Sequence, residues 1–273
     1  MPPQLWYNMR QPVKIHFHIN AGKPEAAAQK ARLSSAAVRL GLAEADDGAA
    51  ADAVVALGGD GTLLHAVRTF PGVPVLGFKV GGLGYLSSVT ANDFESALAA
   101  LASGRFRVSE RRMLSVDGHD ALNDVVLTRE MSGHSALLDL EADGKPVTRY
   151  LADGLVFATP TGSTAYSLAA GGPVLMPDSR SFVVTPLNPH ALAVRPLVVS
   201  DGVSFRVTAR PRTSGNAVRV GVYADGEHVR MLEAGESLVV AASASAAKLV
   251  ELDGFDPYDV LARKLGWSGS NLS

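Results

Sequence analysis

A glycine-rich turn around one acidic side chain is the first segment whose residue types could do chemistry. Gly58-Gly59-Asp60-Gly61-Thr62 follows the apolar run Ala53–Leu57 and precedes a stretch that predicts a helix. Glycines let a ligand approach the backbone closely, and the free N–H groups at a helix start favour phosphate oxygens. A carboxylate repels phosphate, so Asp60 either caps the helix or orients a hydroxyl group and accepts its proton.

A second segment, Asp153–Ser167 with its continuation Gly171-Gly172-Pro173, is dense in glycine, threonine and serine. It begins as a β-type run and offers hydroxyl groups, backbone donors and the ring of Tyr166 within a short space. These groups suit a planar, polyhydroxylated ligand such as a nucleotide. Ordinary loops share the same composition, so composition alone leaves both interpretations open.

A third segment places an amide beside a carboxylate, in Asn123-Asp124 at the start of another β-type run. Inside a strand the two side chains would face opposite sides of the sheet, but at a strand end both could reach one ligand. A solvated turn is the alternative, and the pair taken by itself favours that alternative.

Several other kinds of site are excluded by what the sequence lacks. A P-loop needs G-x-x-x-x-G-K-[ST], but Gly22-Lys23 and Gly144-Lys145 are each followed by proline. Lysine and arginine total 25 against 27 aspartate and glutamate residues, so no basic surplus points to nucleic acid. The absence of cysteine excludes disulfides, thiolate metal sites, Fe–S clusters and cysteine nucleophiles.

The chain shows no targeting or membrane-spanning pattern. Polar residues interrupt the first twenty positions, and nowhere do 18 apolar residues run together. Apolar residues make up 47% of the chain and charged residues 19%, which is typical of a globular protein with a sizeable core. The sequence therefore predicts a cytoplasmic protein that binds neither a membrane nor nucleic acid.

The elements that must hold these segments fall into two domains, as 273 residues at roughly 150 per domain suggest. The first third alternates strand and helix patterns: strands over Val13–Ile19, Ala53–Leu57 and Val73–Phe78, and helices over 25–42, Thr62–Phe70 and from a capping box of Asn92 and Glu95. His16 and His18 fit the outer face of the first strand, since no partner at metal-ligand spacing follows. The alternation predicts a Rossmann-like α/β domain with a parallel sheet.

The pattern changes near residue 110, after which short β-type runs replace helix patterns. These runs are Asn123–Thr128, Ala136–Glu141, Leu155–Thr159, Val203–Ala209, Val218–Ala224, Leu238–Ala242 and Lys248–Leu252. Asp143-Gly144 and Asp225-Gly226 between such runs are strong hairpin signals, which favours an antiparallel β-sandwich.

A final helix, Asp259–Leu265 with Gly266 as its stop, needs a surface to cover, and we expect it to return to the first domain. The predicted domains are therefore 1–111 with 254–273, an α/β domain, and 112–253, an all-β sandwich.

Read together, the three segments resemble the NAD kinase family, over about residues 53–267. The matching positions are Gly58–Leu64, Gly77, Gly81, Leu83–Leu86, Asn123-Asp124, Asp153–Pro173, Pro189-His190, Arg195–Leu197 and Lys264–Trp267. The run from Thr159 to Gly172 is highly specific to this family, whereas lipid kinases share the Gly-Gly-Asp-Gly turn.

The resemblance implies transfer of the terminal phosphate of ATP, or of polyphosphate, to the adenosine 2′-hydroxyl of NAD, giving NADP. It implies a divalent metal such as Mg²⁺ and a homo-oligomer, dimer or tetramer, whose NAD sites lie near a subunit interface. Asp60 matches the catalytic aspartate, and the metal ligands stay open. The positions implied to bind NAD or nucleotide are Gly58, Gly59, Gly61, Thr62, His65, Asn123, Asp124, His134, Asp153, Thr161, Gly162, Thr164, Ala165, Tyr166 and Ser167.

Two alternatives compete with this resemblance. A diacylglycerol- or sphingosine-type lipid kinase would share the first turn, but it would continue with a different motif from Gly77–Gly84. A non-catalytic NAD(P)-sensing module would keep Asn123, Asp124 and Tyr166 while tolerating loss of Asp60.

The chain also departs from the family pattern, at Lys79, Leu151 and Glu227, to which we assign no site. The departure at Leu151 leaves the choice between NAD and NADH open.

Overall fold

The chain divides into two compact units, Met1–Glu110 with Ala247–Ser273, and Arg111–Ala246. The computed structural model describes residues 13–19, 22, 24–80, 86, 89–130, 134–211 and 219–267. Of the positions that carry the resemblance, Gly81 and Leu83–Tyr85 lie outside the described residues. Within the described part of the chain, no helix is long and apolar enough to cross a membrane.

The elements are numbered in chain order. The helices are α1 (Pro24–Arg39), α2 (Asp60–Thr69), α3 (Phe94–Ala102), α4 (Tyr166–Ala169) and α5 (Pro257–Leu265). The strands are β1 (Lys14–Ile19), β2 (Ala43–Glu44), β3 (Ala53–Gly58), β4 (Val75–Lys79), β5 (Phe106–Val116), β6 (His119–Ala121), β7 (Asp124–Arg129), β8 (Ala136–Ala142), β9 (Lys145–Ala152), β10 (Gly154–Ala158), β11 (Ser181–Leu187), β12 (Leu197–Ser200), β13 (Phe205–Ala209), β14 (Val220–Ala224), β15 (Glu227–Leu232) and β16 (Ser237–Leu252).

The first unit is the α/β unit, built on a parallel sheet in the order β2-β1-β3-β4. The end of β16 joins this sheet beside β4, where Leu249 pairs with Val75 in parallel. Every residue of β3 is buried, because helices cover both faces of such a sheet, and this explains its uninterrupted apolar run. The predicted parallel α/β fold is confirmed.

Strand β16 also explains why one domain boundary differs from the predicted position. The sequence separated Leu238–Ala242 from Lys248–Leu252 and placed the boundary after residue 253, but one continuous strand covers both runs. The division falls inside this strand, at Ala247, because its last residues belong to the parallel sheet.

The predicted capping box at the start of α3 is wrong. A 3₁₀ turn, Ala91–Asp93, precedes the helix, and the N-cap Asp93 makes no side-chain capping bond. The hydroxyl of Thr90 donates to the Asp93 carboxylate at 2.6 Å, and Glu95 lies 3.5 Å from the Arg32 guanidinium. Both acidic groups therefore have partners that compete with helix capping.

Helix α5 follows its predicted signals and belongs to the α/β unit. The Asp256 carboxylate caps its start by accepting the N–H of Tyr258 at 2.9 Å, and Pro257 occupies the first turn. Gly266 ends it in the left-handed conformation, with φ of 66°.

The second unit is the β unit, a sandwich of antiparallel strands as predicted. One sheet has the order β12-β11-β10-β7-β14-β15, and the facing sheet pairs β13 with β16 and β8, with β9 beyond β8. Side chains from both sheets, such as Phe157 and Phe205 with ring centroids 5.3 Å apart, form one buried core.

Both predicted Asp-Gly hairpins are present, and the same signal at Asp117-Gly118 was missed. In all three turns the aspartate and the glycine have positive φ, between 47° and 81°. Two consecutive positive φ angles define the turn that matches the twist of a β-hairpin. The aspartates thus fit the turns by conformation, whatever their side chains do.

Candidate functional site

The glycine turn lies where β3 ends and α2 begins, as the sequence predicts. Gly58 is required by packing, since an added Cβ would lie 2.1 Å from the Thr62 hydroxyl. At Gly59 and Gly61 an added Cβ would meet no heavy atom of the described residues within 4 Å. These two glycines therefore leave open space beside the N–H groups of a helix start, where an anion binds well.

Asp60 is the first residue of α2 and is half-buried. The residue that caps the helix is Gly59, which makes no side-chain capping bond. The Asp60 carboxylate instead accepts the backbone N–H of Leu86 at 2.9 Å. The capping interpretation of Asp60 is therefore not supported, because its side chain reaches beyond its own helix.

Lys264, which sequence reasoning did not assign to the site, interacts electrostatically with Asp60 and with a second lysine, Lys79. The pKa of Lys264 is lowered to about 8, mainly by burial, with the charge of Asp60 opposing the shift and the charges of Lys79 and Arg263 adding to it. Lys79 ends β4 and Lys264 lies in the last turn of α5. No local pattern could show that α5 brings its lysine back to the glycine turn.

His65 lies one turn into α2 and is paired with a histidine of β1. The His65 Nδ1 is 2.8 Å from the His18 Nε2, and the two rings stack with centroids 4.9 Å apart. Burial lowers the pKa of His18, and the neighbouring His65 and His16 lower it further. His18 therefore contacts a predicted site residue, a role that its position on the strand face did not reveal.

In the β unit, Asn123 and Asp124 lie at the start of β7, next to the 3₁₀ turn that holds Thr161 and Gly162. Thr159 joins these segments, since its hydroxyl donates to the Leu122 carbonyl at 2.6 Å and accepts the Gly162 N–H at 3.0 Å. The backbones are so close that a Cβ at Gly162 would lie 1.9 Å from the Asn123 carbonyl oxygen.

Asp124 is buried, and its environment differs from that of Asp60. Burial, with a smaller contribution from the charge of the Asp225 carboxylate, raises its pKa to about 7. Asp124 therefore exchanges its proton near neutral pH, where an ordinary aspartate is fully ionised.

A second group of predicted residues meets at a pocket of about 540 Å³ in the β unit, lined by both Asp153 and Tyr166. The Arg129 guanidinium donates to the Asp153 carboxylate at 2.6 Å, and the Asn188 amide donates to its other oxygen at 3.1 Å. These bonds lower the pKa of Asp153, Arg129 contributing most. The ring of Tyr166 is 47% exposed, so it is accessible to a ligand.

Family models match most of the chain. The ATP-NAD kinase N-terminal domain matches residues 9–106, and the ATP-NAD kinase C-terminal domain matches residues 122–252. The chain belongs to the NAD kinase family.

Relatives and solved structures agree with this assignment. The NAD kinase of Gemmatimonas aurantiaca is 40% identical over 80% of this chain and 78% of its own length, and that of Syntrophotalea carbinolica is 37% identical over 79% and 78%. Yeast NADH kinase complexed with NADH has a TM-score of 0.82 at 27% identity, covering 96% of this chain and 90% of its own. An NAD kinase from Archaeoglobus fulgidus in complex with ATP, with a TM-score of 0.75 over 93% and 96%, shares the fold at 23% identity.

The comparisons confirm the predicted activity of this NAD kinase, with ATP and NAD as its substrates. None of them favours the lipid kinase or the non-catalytic sensing module. The family models also cover residues before position 53, where the sequence resemblance began.

The remaining predicted site residues of this NAD kinase differ in how their side chains are used. The Ser167 hydroxyl is buried against that of Thr185, 2.8 Å away, so it stabilises the fold of its segment. The Thr164 hydroxyl donates to the Thr161 carbonyl at 3.2 Å, and Ala165 precedes α4. His134 is exposed just before β8, and its ligand contact stays a prediction.

Proposed function

We propose that Asp60 is the general base in transfer of the terminal phosphate of ATP to the adenosine 2′-hydroxyl of NAD. The observation that carries this proposal is the Asp60 carboxylate at a glycine turn where no described atom fills the space beside Gly59 and Gly61, with the charge of Lys264 near the carboxylate. The hydroxyl oxygen forms a bond to the terminal phosphorus, the bond to ADP breaks, and the hydroxyl proton passes to Asp60. Such transfers need positioning and charge neutralisation more than covalent chemistry.

The residues proposed to bind the phosphates of ATP lie in the α/β unit. Gly59 and Gly61 leave room for phosphate oxygens at the start of α2, and the ammonium groups of Lys79 and Lys264 supply positive charge. The Archaeoglobus fulgidus enzyme, whose structure contains ATP, supports an ATP site in this fold.

A divalent metal, Mg²⁺ in our proposal, accompanies the triphosphate. Among the residues the structure describes, no three His, Cys, Asp or Glu side chains are arranged to hold a metal ion. Mg²⁺ is commonly bound by one or two carboxylates together with substrate phosphates, so the single carboxylate of the glycine turn is compatible with it. Asp60 is the carboxylate at the turn, and the ion would neutralise charge on the phosphates.

The residues proposed to bind NAD lie in the β unit. Asn123 and Asp124 bind the adenosine sugar and base of NAD, beside Thr161 and Gly162. The pocket lined by Asp153 and Tyr166 receives a further part of the dinucleotide. The yeast NADH kinase, complexed with NADH, supports a pyridine dinucleotide site in this fold.

We also propose a homo-oligomer, a dimer or a tetramer, that works in the cytoplasm with NAD sites near the subunit interface. Leu192 is 92% exposed, and Val198 on the edge strand β12 is 46% exposed. Large exposed apolar side chains next to a sheet edge favour burial against another copy. Analytical ultracentrifugation of wild type and Leu192→Asp tests this assembly.

The test of the base uses Asp60→Asn with NAD, ATP and Mg²⁺, and measures NADP with an NADP-specific dehydrogenase. We expect kcat to fall by about 10²- to 10⁴-fold, because the hydroxyl loses its proton acceptor. The KM for NAD and the thermal unfolding curve should stay close to wild type. Asp46→Asn, at an exposed aspartate of the same unit, is the matched control. Near-normal turnover of Asp60→Asn would refute the assigned role.

A further inference from the structure

Asp225, at the tip of the β14–β15 hairpin, makes contacts that its turn does not require. Its carboxylate Oδ2 accepts the Leu122 N–H at 2.8 Å. Oδ1 accepts the N–H groups of Asn123 at 2.7 Å and of Asp124 at 3.1 Å. Its own N–H donates to the Asp124 carbonyl at 3.0 Å.

Three consecutive backbone N–H groups thus converge on one carboxylate that lies more than 100 residues away in sequence. Hydrogen bonds to an ionised acceptor are shorter and stronger than neutral ones, and only a carboxylate offers two equivalent acceptor oxygens here. The backbone of Leu122–Asp124 is therefore fixed from the β14–β15 side by Asp225. Thr159 fixes the same segment from the β10 side, by donating its N–H to the Asn123 carbonyl at 2.9 Å.

We propose that Asp225 is a positioning residue of the NAD site, which holds Asn123 and Asp124 in the shape that binds the dinucleotide. The proposal rests on NAD binding by that pair. Asp225 acts through these two residues and needs no contact with the substrate.

The other Asp-Gly hairpins of the β unit show that the role is not a property of the turn. Asp143 has the same conformation, with φ of 49° against 47° for Asp225. Its carboxylate accepts the N–H of Ser204 at 2.9 Å, a residue that belongs to no predicted site segment. Asp117 accepts from the Arg230 guanidinium at 2.6 Å. Asp143→Asn is therefore a matched control for Asp225→Asn.

Asp225 also has an electrostatic effect that a purely structural residue would lack. Its charge adds to burial in raising the pKa of Asp124 to about 7. Ala158, at the end of β10, and Thr159, which follows it, carry no charge, and Tyr223, Glu227, His228 and Arg230 are the other titratable groups of the same hairpin. Asp124 accepts hydrogen bonds from sugar hydroxyls best when ionised, so the KM for NAD should rise as the pH falls through about 7.

The experiment measures the KM for NAD, the KM for ATP and kcat between pH 5.5 and 8.5. For Asp225→Asn we expect the KM for NAD at pH 8 to rise about tenfold to hundredfold, because charge-assisted bonds to the binding segment are lost. The KM for ATP should change less than about twofold. The pH at which the KM for NAD begins to rise should move lower, since one of the two causes that raise the Asp124 pKa is removed. Asp143→Asn should move none of these values.

Two further variants, Asp225→Glu and Asn123→Ala, complete the test. If Asp225→Asn does not fold, Asp225→Glu keeps the charge but moves it by one methylene group. We expect Asp225→Glu to have a raised KM for NAD and to keep the wild-type pH dependence. A wild-type KM for NAD in folded Asp225→Asn, or in Asp225→Glu, would overturn the positioning role. Asn123→Ala separates this failure from failure of the NAD site itself: an unchanged KM for NAD in Asn123→Ala would show that the pair does not bind NAD.

Discussion

The two units both place glycine and aspartate close to one end of a β-strand, yet they use these residues in opposite ways. In the α/β unit, a Cβ added at Gly59 or Gly61 would meet no heavy atom of the described residues within 4 Å. In the β unit, Gly162 has no room at all, since an added Cβ would lie 1.9 Å from the Asn123 oxygen. The first pair of glycines leaves space for a ligand, whereas Gly162 lets two segments of backbone pack together.

The charges around the two aspartates differ in the same way. The carboxylate of Asp60 interacts electrostatically with the ammonium group of Lys264, so opposite charges lie near each other. Asp124, in contrast, is buried next to a second carboxylate, that of Asp225. A phosphate-binding turn needs positive charge and exposed N–H groups, but a sugar-binding segment needs fixed acceptors. The contrast therefore teaches that the same residue types serve different substrates according to the partners that the fold brings to them.

The difference in space around the glycines of the two units predicts the largest loss of stability and activity for Gly162→Ala. The new methyl group would collide with backbone atoms of Asn123, which cannot move without displacing Asp124. We expect the free energy of unfolding to fall by about 1–3 kcal/mol. We expect kcat/KM for NAD to fall about 10²-fold, since small misplacements of binding groups cost that much. Urea unfolding and initial-rate kinetics measure the two quantities.

Gly61→Ala is the matched substitution in the other unit. Its methyl group would meet no atom that the structure describes and would replace glycine near the start of a helix, so the unfolding free energy should stay equal or rise slightly. The KM for ATP should rise, because the methyl group occupies ligand space. A Gly61→Ala enzyme with reduced stability and normal ATP affinity would contradict the contrast between the two turns.

The charge contrast predicts a smaller effect, at Lys264. We expect Lys264→Ala to raise the KM for ATP about tenfold, because a charged hydrogen-bond donor is lost. Since the pKa of Lys264 is about 8, its positive charge is present below that pH and lost above it. The wild-type KM for ATP should therefore rise as the pH increases through 8.

Lys264→Arg distinguishes the charge from the shape of this side chain. Arginine stays protonated, so the rise in the KM for ATP above pH 8 should disappear. Arg263→Ala, at an exposed neighbour on the same helix, should keep most of the wild-type ATP affinity. If the KM for ATP of Lys264→Arg still rises above pH 8 as in wild type, a group other than Lys264 causes that rise.

Local sequence signals predicted the elements that depend on local physics. The buried run of β3, the Asp-Gly turns at Asp143 and Asp225, and the stop of α5 at Gly266 each follow from periodicity or backbone conformation. The predicted capping box of Asn92 and Glu95 failed, because a 3₁₀ turn precedes α3 and the Glu95 carboxylate lies 3.5 Å from Arg32, a residue far away in sequence. The position of the glycine turn around Asp60 was also predictable, since it lies where β3 ends and α2 begins.

Residues that act across long sequence separations could not be predicted in this way. Asp225 was interpreted as a turn residue, yet its carboxylate holds a segment more than 100 positions earlier. His18 was assigned to a strand face, yet it pairs with His65 at a separation of 47 residues. Both roles depend on the three-dimensional arrangement, which neither spacing nor composition encodes.

The smallest predicted effect concerns Arg129→Gln at the pocket in the β unit. Arg129 lowers the pKa of Asp153 from its ordinary value of 3.8. A lowered carboxyl pKa contributes stability above the unfolded value, and this contribution is lost as the pH falls through the folded value. The pair is partly exposed, so we expect a loss of about 1 kcal/mol or less at pH 7.

Because the contribution requires an ionised Asp153, the stability difference between wild type and Arg129→Gln should shrink as the pH drops below about 4. Urea unfolding at pH 7 and pH 3.5 measures it. Arg149→Gln, which breaks the exposed pair with Asp139 on neighbouring strands, is the control for loss of one surface charge. If Asp153 contributes to dinucleotide binding, Arg129→Gln should also raise the KM for NAD while Arg149→Gln leaves it unchanged. Equal KM values for NAD in the two variants would show that the pocket is not part of the NAD site, which would then be centred on Asn123 and Asp124.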